Sequence, residues 1–166
     1  MEIHLCITAK ISGLLRIGNK MLLELNQHIV KEVIADDPVR PHISAEWRLN
    51  GHREVYGLYS DESFEQLRAV ICVAYTDEIP TCEKDIDHLG SSVAVFYTVW
   101  SYDRGAGRDI VFAVAEHIKK HKPSVKRWVT LSPLTEMARK FHLKNGAKFL
   151  NRHIDCQNFE YILDTD

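Results

Sequence analysis

The sequence lacks the features of a membrane or secreted protein. It has no apolar run of about 18 residues, and its N-terminus has no basic stretch followed by an apolar one. A helix that spans a bilayer needs roughly 20 mostly apolar residues, and a secretory signal needs that basic-then-apolar layout. We therefore expect a soluble, cytoplasmic protein with no membrane partner.

Motifs for metal binding and thiol redox chemistry are also missing. The four cysteines (Cys6, Cys72, Cys82 and Cys156) are scattered and form no C-x-x-C pair, and the nine histidines form no H-E-x-x-H motif. Structural zinc sites and thioredoxin-like sites depend on such spacings. We predict free, mostly buried thiols and no metal.

No excess of positive charge is present. The chain has 21 basic and 23 acidic residues and a net charge of −2, which disfavours nucleic-acid binding through bulk charge while leaving room for a local basic patch. The length of 166 residues and the 45% hydrophobic content suit one domain with a sizeable core. No linker or repeat divides the chain, so we predict a single domain over residues 1–166.

The most informative stretch covers residues 93–107, with the sequence V-A-V-F-Y-T-V-W-S-Y-D-R-G-A-G. Its first eight residues predict a buried strand, a loop with two glycines follows, and residues 108–121 have a helical pattern. The first turn of a helix offers free N–H donors and a partial positive charge, and glycine lets the backbone approach an anion closely. The stretch predicts a phosphate or pyrophosphate site, with an ordinary tight strand–helix loop as the alternative.

The remaining pattern indicates an α+β fold with the order β–α–β–β–β–α–β–α–β–β. In the N-terminal half we predict a strand over residues 2–9, a helix-rich segment over 11–36, strands over 43–49 and 53–59 joined by an Asn50-Gly51 hairpin turn, and a strand over 67–75. In the C-terminal half we predict a short helix within 83–89, strands over 125–131, 149–154 and 158–163, and a helix that Ser132 caps and Pro133 opens. A ligand should lie beyond the C-terminal end of the strand over residues 93–100.

Two motifs together resemble a known family. R-G-A-G before an amphipathic helix, and S-P-x(2)-E-M-A-x(2)-F-x(4)-G-A after the next strand, resemble the acyl-CoA-binding core of the GCN5-related N-acetyltransferase superfamily. The resemblance covers residues 93–163, and the element order extends it to the whole chain. It implies a central mixed, mostly antiparallel sheet of about seven strands flanked by helices. In that superfamily the glycine loop holds the pyrophosphate of CoA, and here Asp109 occupies a position where the family has Gly or Ala.

One branch of this superfamily is more similar than the rest. Leu131-Ser132-Pro133, F-H-L-x-N-G-A over residues 141–147, Arg152 and N-F-x-Y over residues 158–161 resemble the catalytic domain of malonyl-CoA decarboxylases and related polyketide-loading decarboxylases. There the corresponding Ser and His act on the malonyl group. Those enzymes also have a long insertion and an additional helical domain, whereas only nine residues separate Ser132 from His142 here.

The resemblance implies a set of cofactor and substrate contacts. Residues expected to contact acetyl-CoA or CoA are Val99, Trp100, Ser101, Tyr102, Arg104, Gly105, Ala106, Gly107, Arg108 and Asn145. On the acceptor side we consider Tyr97, Glu46 and Arg152. Glu46 could act as a base through water or be an exposed carboxylate. Arg152 could hold an acidic group, including a malonyl carboxylate, or form a surface salt bridge.

His142 and Ser132 are the candidate catalytic residues. Histidine can donate or accept a proton near neutral pH, although His142 could also be a structural core residue. Ser132 could cap the helix or orient the substrate. A separation of ~10 helical residues is on the order of 15 Å at a rise of about 1.5 Å per residue, which disfavours a Ser132 nucleophile activated by His142.

We predict an N-acyltransferase of the acetyltransferase type, in which an amine attacks the thioester of acetyl-CoA directly. The acceptor could be a small molecule or a protein, and nothing in the sequence identifies it. Two copies could pair through sheet edges, as such domains often do. One alternative is a malonyl-CoA decarboxylase-like enzyme, and another is a CoA-binding or interaction module without catalytic activity.

Overall fold

The computed structural model describes residues 14–164, which form one nine-stranded sheet with helices on both faces. The predicted strand over residues 2–9, including Cys6, lies outside the described residues. The strands are β1 (Leu14–Ile17), β2 (Lys20–Glu24), β3 (Glu54–Tyr59), β4 (Leu67–Thr76), β5 (Val93–Ser101), β6 (Arg127–Thr130), β7 (Ser132–Pro133), β8 (Lys148–Arg152) and β9 (Cys156–Tyr161). The α-helices are α1 (Gln27–Val33), α2 (Ala45–Leu49), α3 (Ala106–His121) and α4 (Glu136–Lys144), and two short 3₁₀ helices cover Ile34–Asp36 and Glu83–Asp87.

The sheet runs from β1 through β6 in sequence order and then continues to β9. β5 and β6 are parallel, from Val93 opposite Arg127 to Phe96 opposite Thr130, and every other strand pair in the described chain is antiparallel. β6 and β7 pair with successive parts of β9, and β8 pairs with the same strand. The predicted α+β class with a mixed, mostly antiparallel sheet is confirmed.

Apolar side chains bury each face of the sheet beneath different helices. α3 carries Ile110, Val114 and Ile118 at helical spacing, all fully buried against one face. α1 and α2 cover the other face with Val30 and Ala45. Along the described part of the chain, no helix combines the length and the apolar character that crossing a bilayer requires.

The helix-rich segment predicted over residues 11–36 is largely wrong. From Leu14 to Glu24 the structure has a β-hairpin, and its two-residue loop starts at Gly18 with a φ of +59°. Glycine adopts that conformation without strain and suits a tight hairpin turn. Met21 and Leu22 therefore lie on strand β2, and only the part from Gln27 onward is helical.

The strand predicted over residues 43–49 is also wrong. Ser44 caps a short helix there, because its Oγ accepts a hydrogen bond from the N–H of Trp47 at 3.1 Å. Consequently Asn50-Gly51 is not a hairpin turn between two strands. It links α2 to β3, and Arg53 N–H donates to the carbonyl oxygen of Asn50.

The last helix starts later than predicted. Ser132 and Pro133 do not open it, since they form β7 and pair with Gln157 and Cys156 of β9. Thr135 is the N-cap instead, and its Oγ1 accepts from the N–H of Ala138 at 3.2 Å. α4 ends at Lys144, and Gly146 follows it with a φ of +90°, a conformation that glycine adopts freely at the end of a helix.

Candidate functional site

A cleft opens where β5 parts from β6. The last contact between them is the hydrogen bond from Leu131 N–H to the carbonyl oxygen of Phe96, at 3.1 Å. Beyond that point the chain after β6 turns to pair with β9, so β5 from Tyr97 to Ser101 has no strand of the described chain on this edge. The gap has a volume of about 670 Å³.

A β-bulge at Tyr97 marks the inner end of the cleft. Thr98 is opposite Cys72 and Phe96 is opposite Val73, so Tyr97 is the extra residue on β5. Bulges redirect backbone groups and often lie beside functional sites. The cleft thus begins at the place where the backbone of β5 departs from regular pairing.

The walls of the cleft come from five segments of the chain. They are residues 38–39, residues 96–101 of β5, Gly107 at the start of α3, residues 131–133 around β7, and Thr135, Met137, Ala138, Phe141 and His142 at α4. Among these described lining residues none is Asp, Glu, Lys or Arg. The cleft is therefore mainly apolar, with a few neutral polar groups.

The outer end of the cleft offers free backbone donors. Gly105, with a φ of +84°, precedes α3, and Ala106 N–H donates to the carbonyl oxygen of Asp103. The N–H groups of Gly107 and Arg108 have no acceptor among residues 14–164. Such a turn at a helix N-terminus suits an anion.

Gly107 also allows a close approach between two helices. A Cβ atom at this position would lie 3.2 Å from Cε2 of Phe141. The exposed side chains of Arg104 and Arg108 add positive charge on either side of the glycine turn. This end of the cleft has the donors and the charge that a pyrophosphate needs.

Asp109 is held by a cation from the sheet. Its carboxylate pairs with Nζ of Lys20 at the start of β2. Without a partner, the Asp109 carboxylate in the first turn of α3 would weaken an anion site at this helix N-terminus. Pairing with Lys20 compensates its charge locally, so the free N–H groups of the helix N-terminus keep their attraction for an anion.

His142 reaches the cleft from α4 and is 5% exposed. Its Nδ1 is 2.7 Å from the hydroxyl oxygen of Tyr161, and its ring stacks on Phe159 with centroids 5.3 Å apart. Burial lowers the pKa of His142 to about 4. The imidazole is therefore neutral near pH 7.

The partner of His142 determines which ring nitrogen carries the proton. Burial raises the pKa of Tyr161, so the phenol keeps its hydrogen. The acceptor that the described residues offer to this O–H is Nδ1 of His142. A neutral imidazole that accepts at Nδ1 has its hydrogen on Nε2. His142 thus presents an N–H donor to the cleft.

Ser132 lines the same cleft and is 4% exposed. Its Oγ lies 2.7 Å from Oγ1 of Thr130, and no hydrogen bond joins it to His142. The structure thus brings Ser132 and His142 to one cleft without the contact that would activate a serine nucleophile.

One wall of the cleft consists of Pro38 and Val39, and hydrogen bonds hold the chain on both sides of these two residues. Arg40 donates to the carbonyl oxygen of Tyr97 and, from Nε, to Glu83 at 3.0 Å. At the other end the hydroxyl of Tyr102 donates to Asp36 at 2.7 Å and accepts from Trp100 Nε1 at 3.0 Å. Tyr102 therefore fixes this wall and is not among the residues that line the cleft.

A buried ion pair supports the same wall. Arg48 and Asp37 have fully buried side chains, and their N–O distance is 2.8 Å. Asp37 also accepts from the N–H groups of Val39 and Arg40 at 2.8 and 2.9 Å. Nothing local in the sequence distinguishes Asp37, Arg40 and Arg48 from exposed charges in a polar segment, so their buried positions are not predictable from the sequence.

The structure brings many of the predicted site residues together. Those that line the cleft are Tyr97, Val99, Trp100, Ser101, Gly107, Ser132 and His142, and the glycine turn at its outer end contains Arg104, Gly105, Ala106 and Arg108. Asn145 is buried at the end of α4. Their roles stay predictions.

Two predicted acceptor residues lie away from the cleft. Glu46 is exposed in the first turn of α2, and Arg152 is exposed on β8. Neither is among the lining residues.

No family model matches the chain, and no curated protein matches it. Solved structures do match. A malonyl-CoA decarboxylase from Agrobacterium vitis is 25% identical with a TM-score of 0.62, and the match covers 75% of this chain and 36% of that one. The chain thus spans about a third of the length of that decarboxylase.

Two acetyltransferases match over almost their full length. One, of the GNAT family from Listeria monocytogenes, is 10% identical with a TM-score of 0.65, covering 91% of this chain and 100% of that chain. The other, from Bacillus subtilis in complex with CoA, is 12% identical with a TM-score of 0.54, covering 86% and 94%. At these identities the likeness concerns the fold.

Proposed function

We propose an acyl-CoA function on the premise that the chain has the fold of the GCN5-related N-acetyltransferase superfamily, with the malonyl-CoA decarboxylases among its structural neighbours. The cleft would hold the pantetheine arm along β5. The free N–H groups of Gly107 and Arg108 would bind the pyrophosphate. The acyl group would then lie at the inner end, near Tyr97 and His142. A structural neighbour in complex with CoA supports this cofactor.

Within that function we propose decarboxylation of a malonyl-type acyl-CoA. The bond between Cα and the carboxylate carbon would break and CO₂ would leave. The electron pair of that bond would form the thioester enolate, and Cα would then take a proton from water. The enolate oxygen is where negative charge develops, so a fixed donor there lowers the barrier. The observation that carries this proposal is the neutral His142, which presents Nε2–H to the cleft.

The apolar lining supports the same reaction. Val39, Leu131 and Phe96 border the inner cleft, and the described lining has no cation to pair with a carboxylate. A carboxylate without a partner in apolar surroundings is poorly solvated, whereas CO₂ is neutral. This environment favours loss of CO₂ over retention of the acid.

Transfer of an acyl group to an amine, the function that the sequence favours, is the second candidate. It is supported by the match of two acetyltransferases over most of this chain. An ammonium acceptor must lose a proton before it attacks a thioester. A histidine with a pKa of about 4 is a weak base for that step, and the described lining has no carboxylate. The geometry therefore favours decarboxylation.

The test is incubation with malonyl-CoA without an acceptor, followed by measurement of acetyl-CoA and CO₂. We expect both products from the wild type in equal amounts. His142→Asn keeps an acceptor for Tyr161 but shortens the side chain that reaches the cleft, and we expect kcat to fall about 100-fold. His88→Asn, the same substitution at an exposed position outside the cleft lining, is the matched control and should retain activity.

Parallel reactions with acetyl-CoA test the second candidate. Thiol release that requires an added amine, with no turnover of malonyl-CoA, would establish acyl transfer instead. Calorimetry with CoA tests binding separately, and a module without catalytic activity would bind CoA but turn over neither thioester. A CoA-bound structure in which the cofactor avoids residues 104–108 would refute the binding proposal itself.

A further inference from the structure

Thr130 is a fully buried residue that no part of the proposed reaction uses directly. Its Oγ1 accepts a hydrogen bond from the N–H of Phe159 at 3.0 Å and lies 2.7 Å from Oγ of Ser132. The N–H of Phe159 on β9 and the hydroxyl of Ser132 on β7 thus both form hydrogen bonds with the Thr130 hydroxyl. The N–H of Phe159 can only donate to this hydroxyl, whereas in the bond between Thr130 and Ser132 either hydroxyl could be the donor.

The direction of the hydrogen bond between Thr130 and Ser132 follows from the requirement that a buried hydroxyl hydrogen has an acceptor. A buried hydroxyl whose hydrogen has no acceptor destabilises the fold by the full free energy of its desolvation. The acceptor that the described residues offer to the O–H of Thr130 is Oγ of Ser132. Thr130 therefore donates, and Ser132 accepts. The hydrogen of Ser132 is then free, and the direction left for it is the cleft that Ser132 lines.

We propose that Thr130 is a positioning residue that turns the Ser132 hydroxyl into a donor for the thioester oxygen. This inference rests on the proposed acyl-CoA function. Ser132 and His142 would then both donate into the cleft, each oriented by a buried hydroxyl from β6 or β9. Among residues 14–164 no base adjoins the Ser132 hydroxyl, so it stabilises the enolate oxygen and does not attack the thioester.

The backbone around Thr130 is held independently of its side chain. Asn158 Nδ2 donates to the carbonyl oxygen of Thr130 at 2.8 Å, and Ser132 pairs with Gln157 of β9. Removing the Thr130 hydroxyl should therefore leave the backbone of Ser132 in place, while it frees the Ser132 O–H to rotate and leaves the N–H of Phe159 without its acceptor. This separation of position from orientation makes the proposal testable.

The first test compares Thr130→Val with Thr130→Ser in malonyl-CoA decarboxylation. We expect Thr130→Val to lower kcat about 10-fold with KM within about 2-fold, since a misdirected donor loses part of what a fixed one contributes. Thr130→Ser keeps the hydroxyl and should restore kcat. The control is Thr76→Val, which removes a buried hydroxyl bonded to the carbonyl oxygen of Glu78 at the end of β4, and should leave kcat unchanged.

The second test does not depend on turnover. The infrared stretch of ¹³C=O-labelled acetyl-CoA bound to the protein reports hydrogen bonds to the thioester oxygen. We expect a shift to lower frequency in the wild type and Thr130→Ser, and a smaller shift in Thr130→Val. If Thr130→Val does not fold, Thr130→Cys, with its weak S–H donor, replaces it in both tests.

The outcomes separate the two proposals. Wild-type kcat and carbonyl frequency in Thr130→Val would overturn the positioning role even when malonyl-CoA is decarboxylated. A wild type inactive on malonyl-CoA would refute the decarboxylase, and the infrared comparison would still decide the role of Thr130. Loss of kcat in Thr130→Val that Thr130→Ser does not restore would also overturn it, because the hydroxyl would then not be the cause.

Discussion

Acid should destabilise this protein through His142. An unfolded histidine has a pKa near 6.5, whereas burial lowers that of His142 to about 4. Between these two values the unfolded chain binds a proton that the folded chain does not, so stability falls as pH falls. With about 1.36 kcal/mol per pKa unit, the loss reaches about 2 kcal/mol at pH 5 and about 3 kcal/mol at pH 4. Above pH 7 both states are neutral and the contribution vanishes.

Urea unfolding of the wild type and His142→Asn at pH 7 and pH 5 measures this loss. Asparagine does not titrate and can still accept from the Tyr161 hydroxyl, which is 2.7 Å from Nδ1 in the wild type. The difference in unfolding free energy between the two proteins should shift by about 2 kcal/mol in favour of the variant at pH 5. Other titrating groups cancel in this comparison. A difference that stays constant between the two pH values would refute a buried, neutral His142.

Three further predictions concern the walls and the anion end of the cleft. Gly107→Ala places a Cβ atom 3.2 Å from Phe141, so calorimetry should show CoA affinity reduced by about 10-fold, equivalent to roughly 1.4 kcal/mol. Arg48→Met leaves the carboxylate of Asp37 buried without its ion-pair partner, and urea unfolding should show a loss of about 3–5 kcal/mol. Arg104→Gln should weaken CoA binding about 3-fold at low salt and less at high salt, because exposed charges are screened.

The sequence predicts the elements that organise the cleft because each has a strong local pattern. β4 and β5 are dense apolar runs, and α3 carries buried residues at intervals of three and four. The glycine turn before α3 and the glycine after α4 both require positive φ values, which glycine adopts freely. These features predict an anion site beside a buried strand.

The N-terminal half is predicted less well because its patterns are ambiguous. Met21, Leu22 and Leu25 are spaced as on a helix face. In the hairpin at Gly18, however, Met21 and Leu22 lie on β2 and pair with residues of β1. Ser132-Pro133 has the composition of a helix start, but pairing with Gln157 of β9 extends it as a strand. In both cases tertiary pairing decides between two locally acceptable conformations.

The proposed reaction depends on a contact that no local motif contains. The F-H-L-x-N-G-A motif identifies His142, but its protonation follows from burial and from Tyr161, which lies on a different element and 19 positions later. A base would favour an amine acceptor, whereas an N–H donor favours an enolate. The two candidate functions require different protonation of the His142 nitrogen that faces the cleft. That protonation depends on Tyr161, so the choice between them requires the packing of β9 against α4.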